Sequence, residues 1–280
     1  MPLLPRLQLF EFNDMPWLPE SMRRHLTGFL ETVLTLSLRH NKTLAEGVCA
    51  PIVAALKQTK QKRIIDLCSG GGGPWAALQP IVSEKMNESV TVTLTDLYPN
   101  LEAFERIQSH QPDGIDFYRD PVDATALPKQ TPGVRTVFDG LHHFSPQQAQ
   151  SVIHAAVEDR AAIVIFEAVA RHPFQLFQMV FVLPFLVTIL TPFIRPFDWR
   201  WIPLTYLFPI STIAICWDGF VSCLRIHMPK DLLGMAHMAD PNETFTWCSG
   251  SLYPANMGGI YMVGIPKTSE NTQDSFESSR

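Results

Sequence analysis

Four consecutive glycines, Gly70 to Gly73, follow closely on the segment Arg63-Ile64-Ile65-Asp66-Leu67-Cys68. The segment is short, apolar and rich in branched residues, so it reads as a buried strand. Ala76–Val82 behind the glycines reads as a helix. Glycine allows a tight turn and lets a ligand reach the backbone with no Cβ in the way. A strand, a glycine loop and a helix in that order form a nucleotide-binding unit, and few folds accommodate one. Spacing narrows the ligand. A phosphate-binding P-loop needs a Lys after its last glycine, and none follows here. In the dinucleotide pattern G-x-G-x-x-G, a start at Gly70 puts Trp75 at the third place, and a start at Gly71 puts Ala76 there. The second is a tolerated variant, so the loop alone leaves NAD open.

The segments that follow repeat the alternation. Val90–Thr95, Ile115–Tyr118, Val134–Phe138 and Ala161–Phe166 read as strands, and Leu101–Gln108 and Ser145–Glu158 as helices, the latter starting at a Ser-Pro cap. Phe245–Ser251 and Ile260–Val263 read as closing strands joined by a turn with Pro254 and Gly258-Gly259. Strands alternating with helices imply βαβ units and a parallel sheet that binds ligands at its carboxyl ends.

Asp66 lies inside the first strand, four residues before Gly70. Asp96 follows the second strand, 24 residues past Gly72. An acid about 20 residues beyond such a loop accepts hydrogen bonds from ribose hydroxyls. Two more segments complete the series: Asp120-Pro121-Val122-Asp123-Ala124-Thr125-Ala126-Leu127-Pro128, and Leu141-His142-His143-Phe144 after the fourth strand. In this order the four segments resemble the motifs of class I S-adenosylmethionine-dependent methyltransferases. The Leu-His-His-Phe stretch is similar to that of the ubiquinone and menaquinone type. Cys68-Ser69 stand where the family often has Gly-Cys or Gly-Ser. The resemblance spans roughly residues 60–170. It implies a Rossmann-like, seven-stranded α/β methyltransferase fold and S-adenosylmethionine as cofactor. Asp66, Ser69, Gly70 and Gly72 would then form the cofactor loop. Asp96 would hold the ribose, with Leu97 and Tyr98 beside the adenine, and Asp123 and Ala124 would meet the adenine amino group. His142 and His143 would stand beside the sulfonium, as a general base or as pocket wall. Glu167 and Asp139 also sit at strand ends and could orient a substrate.

Residues 173–194 contain no Asp, Glu, Lys or Arg over 22 positions, and a second uncharged run covers Trp201 to Trp217. The first run is long enough to reach across a bilayer core, which is roughly 30 Å thick. Arg171, Arg195, Arg200 and Arg225 flank the runs, together with Phe197, Trp199, Trp201 and Trp217, as at a membrane interface. The later strands must rejoin the same sheet, and Pro184, Pro192, Pro203 and Pro209 interrupt both runs. The expectation is a shallow, broken hairpin, monotopic on the membrane surface, that delivers a lipophilic substrate. A buried helical pair and a homodimer interface are the alternatives.

The chain of 280 residues thus divides into a helical cap or lid (1–60), a cofactor-binding core (61–172), an apolar helical hairpin (173–230), closing strands (231–267) and a disordered polar tail (268–280). Within the cap, Met22, Leu26, Phe29, Leu30, Val33, Leu34 and Leu36 recur at helical spacing, and Ala50–Leu56 reads as a short helix. The net charge of −5 and the lack of any basic run argue against nucleic acid. Five cysteines without a CxxC pair, and an N-terminus unlike a signal peptide, fit a cytoplasmic protein with no metal centre. Two rival readings remain. An NAD(P)-dependent oxidoreductase would be supported by a Tyr-x-x-x-Lys pair, which is lacking. A membrane-associated scaffold would bind the cofactor without turnover.

Overall fold

A computed structural model describes residues 4–127, 131–252 and 259–267. Pro128, Pro254, Gly258 and the tail 268–280 lie outside the described residues. Among the described residues, seven strands form one sheet: β1 (Arg63–Leu67), β2 (Thr91–Leu94), β3 (Ile115–Phe117), β4 (Val134–Phe138), β5 (Ile163–Glu167), β6 (Phe245–Ser251) and β7 (Ile260–Pro266). Their order is β3-β2-β1-β4-β5-β7-β6. β1 to β5 run parallel, whereas β7 lies antiparallel to both β5 and β6. This is the seven-stranded Rossmann-like sheet that the sequence predicts. Strand order reverses between β1 and β4, and a crevice opens there at the carboxyl ends, where such sheets bind their ligands.

Among the described residues, nine α-helices surround the sheet: α1 (Glu20–His40), α2 (Lys42–Thr59), α3 (Trp75–Met86), α4 (Leu101–His110), α5 (Pro146–Glu158), α6 (Pro173–Phe181), α7 (Leu183–Leu190), α8 (Ile210–Arg225) and α9 (Pro229–Ala239). One face of the sheet packs on Ile52 and Leu56 of α2, Leu78 of α3 and Phe104 of α4. The other packs on Val152 and Ile153 of α5 and Leu232 and Met235 of α9. α5 starts at a complete capping box: Ser145 Oγ accepts from Gln148 N–H, and the Gln148 side chain accepts from Ser145 N–H. Two differences from the sequence reading stand out. The short helix expected at Ala50–Leu56 is the middle of the 18-residue α2, which continues through Pro51. α9 was not anticipated, and the boundary expected at residues 230/231 falls inside it.

The apolar segment folds into α6, α7, a 3-10 turn (Thr191–Phe193), a π-helical turn (Pro203–Leu207) and α8. Among the described residues no single helix is long and apolar enough to cross a membrane. Pro173–Phe181 and Leu183–Phe193 reach that length only together, and they bend by 43°. The inner side of the segment packs Val187, Ile194, Trp201 and Ile215 against Met22, Leu26 and Phe29 of α1. The outer side does not pack. Seventeen of the twenty-six exposed large hydrophobic residues lie between Phe174 and Ile213. Only Gln175 of α6 and Val187 of α7 are buried, so the reading of a buried helical pair is corrected.

Candidate functional site

The glycine loop is built from below by Asp66. This carboxylate is wholly buried and accepts hydrogen bonds from Ser69 Oγ (2.7 Å) and Thr136 Oγ1 (2.6 Å). Burial lifts it to about 6, while those two hydroxyls oppose the rise. Gly70 has φ +55, a conformation that favours glycine. At Gly71 a Cβ would stand 2.8 Å from the Thr27 carbonyl oxygen, so α1 can close over the loop only because the side chain is absent. Gly72 makes room for Ile107 instead. Asp96 faces the loop from the end of β2. It accepts from Gly70 N–H and from Tyr98 N–H, both at 2.7 Å.

A cavity of about 300 Å³ lies over this loop. Ser69, Gly70, Asp96, Leu97, Asp123, Ala124 and His143 line it, so seven of the ten predicted site residues come together from four separate segments. Asp123 Oδ1 accepts from Thr125 N–H at 2.8 Å, which fixes the turn that carries it. Asp66 and Gly72 do not reach the wall. They shape the loop from beneath and behind. His142 lines a second cavity.

That second cavity has a volume of about 220 Å³ and is mostly apolar. Leu26, Phe29, Leu30, Val33 and Leu34 of α1 form one wall, Met179 and Leu183 another, and Ile215 and Gly219 of α8 a third. Asn13, Thr27, Leu30, Leu34, Asp139 and His143 line both cavities, so the two spaces meet at these residues.

Charged groups crowd the polar end. Glu167 accepts from the His142 backbone N–H (3.0 Å) and pairs with its Nδ1 (2.8 Å). Burial first, then the neighbouring His143 charge, hold His142 down to about 3, so it is neutral in the physiological range. His143 behaves in the opposite way. Burial would lower it, but Glu11 and the Asp14 carboxylate (2.7 Å from Nδ1) prevail and lift it to about 9. It is a cation at neutral pH. Arg225 Nη1 lies 2.6 Å from Asp14 Oδ2 and 3.2 Å from Glu11 Oε1. Donor atoms of Glu11, His142 and His143 all fall within 4.8 Å of one another, a spacing a metal ion could use. The Arg225 guanidinium already fills the cationic role there. Asp139 has φ +47, and its N–H donates to Phe166 O at 2.9 Å. Its Oδ1 accepts from Ala168 N–H at 2.5 Å, and its Oδ2 is buried with no partner among the described residues. Burial and the nearby Glu167 push Asp139 up.

Sequence reading missed the N-terminal contributors, Glu11, Asn13, Asp14 and Thr27. Asp14 and His143 are 129 positions apart, and no local pattern connects them. Asp218 of α8 ties this segment down by accepting from Phe12 N–H (2.7 Å) and Asn13 N–H (3.0 Å).

No protein-family model matches the chain. No curated protein matches it. Among solved structures it is similar to a magnesium protoporphyrin IX methyltransferase from Synechocystis PCC 6803 with bound SAH, at 13% identity and TM-score 0.44, over 79% of this chain and 83% of that one. It is also similar to the methyltransferase domain of a bacterial Hen1, at 13% identity and TM-score 0.45, over 80% of this chain and 100% of that one. Human N-acetylserotonin methyltransferase in complex with SAM is a third, at 13% identity and TM-score 0.42, over 79% of this chain and 52% of that one. At such distances the chemistry must be argued from the site itself.

Proposed function

We propose that this chain transfers a methyl group from S-adenosylmethionine to a small lipophilic acceptor at a membrane surface. The supporting observation is the junction of two unlike cavities. A loop-and-acid cradle, suited to a nucleoside with an amino-acid tail, opens at Asp139 and His143 into an apolar pocket. The cradle fits the cofactor in its parts: Asp96 at the ribose place, bare backbone at Gly70 and Gly71, and Asp123 with Ala124 at the far end. When bound, S-adenosylmethionine supplies a methyl group on a sulfonium, which is already a good leaving arrangement. The protein then has to align an acceptor and exclude water. α1 does both, since Leu30 and Leu34 wall both cavities and Thr27 lies against the glycine loop.

The exposed apolar side of α6 and α7 supports attachment to lipid. Met179 and Leu183 from these same helices line the acceptor pocket, so a lipophilic molecule leaving the bilayer would have a short route inward. Arg195 and Trp199 at the margin suit the headgroup region.

The test is to incubate the protein with methyl-labelled S-adenosylmethionine and a total cell extract, then partition the mixture into organic and aqueous phases. Label in the organic phase is expected. Absence of transfer into either phase, by protein that binds the cofactor, would favour a scaffold. Absence of cofactor binding would end the methyltransferase reading.

A further inference from the structure

The junction between the two cavities carries two acceptor oxygens that no described residue satisfies. Asp139 Oδ2 and Asn13 Oδ1 are both buried, both lack a hydrogen-bond partner among the described residues, and both residues line both cavities. A buried acceptor left unpaired costs free energy, so such a pair is expected where a ligand supplies the donor. The other acidic groups nearby are committed: Glu167 to His142, Asp14 to His143 and Arg225, and Asp218 to Phe12 and Asn13. Glu11 faces Arg225. The rest of the pocket wall is mostly apolar, with Thr27, Ser222 and the two histidines as its polar members.

The backbone supports a fixed placement. Asp139 is held in a left-handed conformation between its own N–H bond to Phe166 and the Ala168 N–H on its Oδ1. An unusual conformation at a strand end is more often kept for a function than by chance. The sign of the surrounding charge matters too. His143 is a cation and lines both cavities, so an amine, whose nitrogen turns positive as it takes the methyl group, would be disfavoured, and an oxygen that becomes negative would be favoured.

Resting on the methyltransferase reading, we propose that Asp139 and Asn13 form the site for the acceptor atom. The acceptor is an acidic hydroxyl, phenol-like or enol-like, on an apolar body. The hydroxyl donates its single hydrogen to Asp139 Oδ2, with Asn13 beside it, and Asp139 Oδ2 in its ionised form takes the proton. The O–H bond breaks as the proton passes to the carboxylate. The oxygen lone pair forms the O–CH3 bond, the C–S bond breaks, and the sulfonium leaves as a neutral thioether. The proton returns to water after the product departs.

The probe is 4-heptyl-7-hydroxycoumarin, compared with its 7-methoxy and 7-amino analogues by fluorescence titration of the full chain without cofactor. The hydroxy compound should bind at least tenfold tighter than the methyl ether, because only it has a hydrogen to donate to a buried acceptor. Asp139→Ala and Asn13→Ala should each shrink that ratio below threefold, with both variants shown by circular dichroism to be folded. With S-adenosylmethionine present, the hydroxy compound should be methylated and the amino compound should not. Asp139→Asn should lower kcat about 100-fold, within the usual range for loss of a general base, with KM within threefold. Equal binding of hydroxy and methoxy probes, equal methylation of the amino analogue, or an unchanged kcat in Asp139→Asn would each overturn the proposal. Calorimetry with S-adenosylhomocysteine separates the two levels. Normal binding of that ligand beside a failed probe series defeats only this inference, whereas no binding defeats the reading beneath it.

Discussion

Replacing Phe185, Ile189 and Phe193 together by serine should abolish membrane attachment while leaving the fold intact. The three residues stand four apart along α7 and its 3-10 extension, and they keep 68%, 60% and 65% of their surface exposed. A large apolar side chain carries roughly 150–250 Å², so each leaves roughly 100–150 Å² uncovered. At about 25 cal/mol per Å², full immersion of all three is worth roughly 8–11 kcal/mol. An interfacial helix buries only one face, and half immersion leaves about 4–5 kcal/mol. At about 1.4 kcal/mol per decade, that is about a thousand-fold in partition. The assay is flotation with phosphatidylcholine vesicles, and thermal unfolding is the control. Wild type should float and the triple variant should remain at the bottom. Its Tm should be nearly unchanged, since exposed substitutions cost within about 0.5 kcal/mol each. A triple variant that floats like wild type would refute the reasoning. So would wild type that ignores vesicles and sediments as a dimer, which would assign the same face to a second copy.

Gly71→Ala should lower both Tm and cofactor affinity, because the new Cβ would stand 2.8 Å from Thr27 O and force α1 off the loop. Overpacking of this kind costs about 1–3 kcal/mol, and a Tm within one degree of wild type would contradict it. His143 is lifted from its ordinary value to about 9, so its contribution to stability is fully present below pH ~6.5 and is lost as pH rises through about 9. The stability gap between wild type and His143→Gln, followed by denaturant unfolding, should therefore be widest at pH 6 and nearly closed at pH 10. A gap that widens with pH would reverse the assignment. His142 is held down to about 3, so His142→Gln should leave the shape of the pH–rate profile between pH 6 and 9 unchanged.

Much of the sheet was legible because each parallel strand, buried on both faces, must be a short run of branched apolar residues. Ile64-Ile65 in β1 and Ile163 to Phe166 in β5 show this plainly. The glycine loop and Asp96 were legible for a related reason, since a backbone turn and a capping acid leave local signatures. The far wall of the site left none. Asp14 reaches His143, and Asn13 joins the cavity wall, only through the folded N-terminal segment, held by Asp218 and Arg225 from a helix about two hundred positions away in sequence. α9 was hidden by its place after a long uncharged stretch, where the apolar spacing of Leu232, Met235, Ala236 and Ala239 does not stand out. Pro51 concealed the true length of α2, since proline ordinarily marks a break in a helix. Asp66 and Gly72 lie outside the cavity lining, and sequence spacing alone cannot tell a residue that lines a cavity from one that shapes the turn around it.

Cofactor binding by the glycine-loop cavity is the claim on which everything else depends, and calorimetric titration of the wild-type chain with S-adenosylhomocysteine tests it directly, beside Asp96→Ala. One site per chain is expected, weakened about 30-fold or more in the variant, since removing a carboxylate that would accept two hydrogen bonds from the ligand would cost at least about 2 kcal/mol. A folded wild-type chain that takes up no ligand, or an Asp96→Ala variant that binds it equally well, would contradict the account.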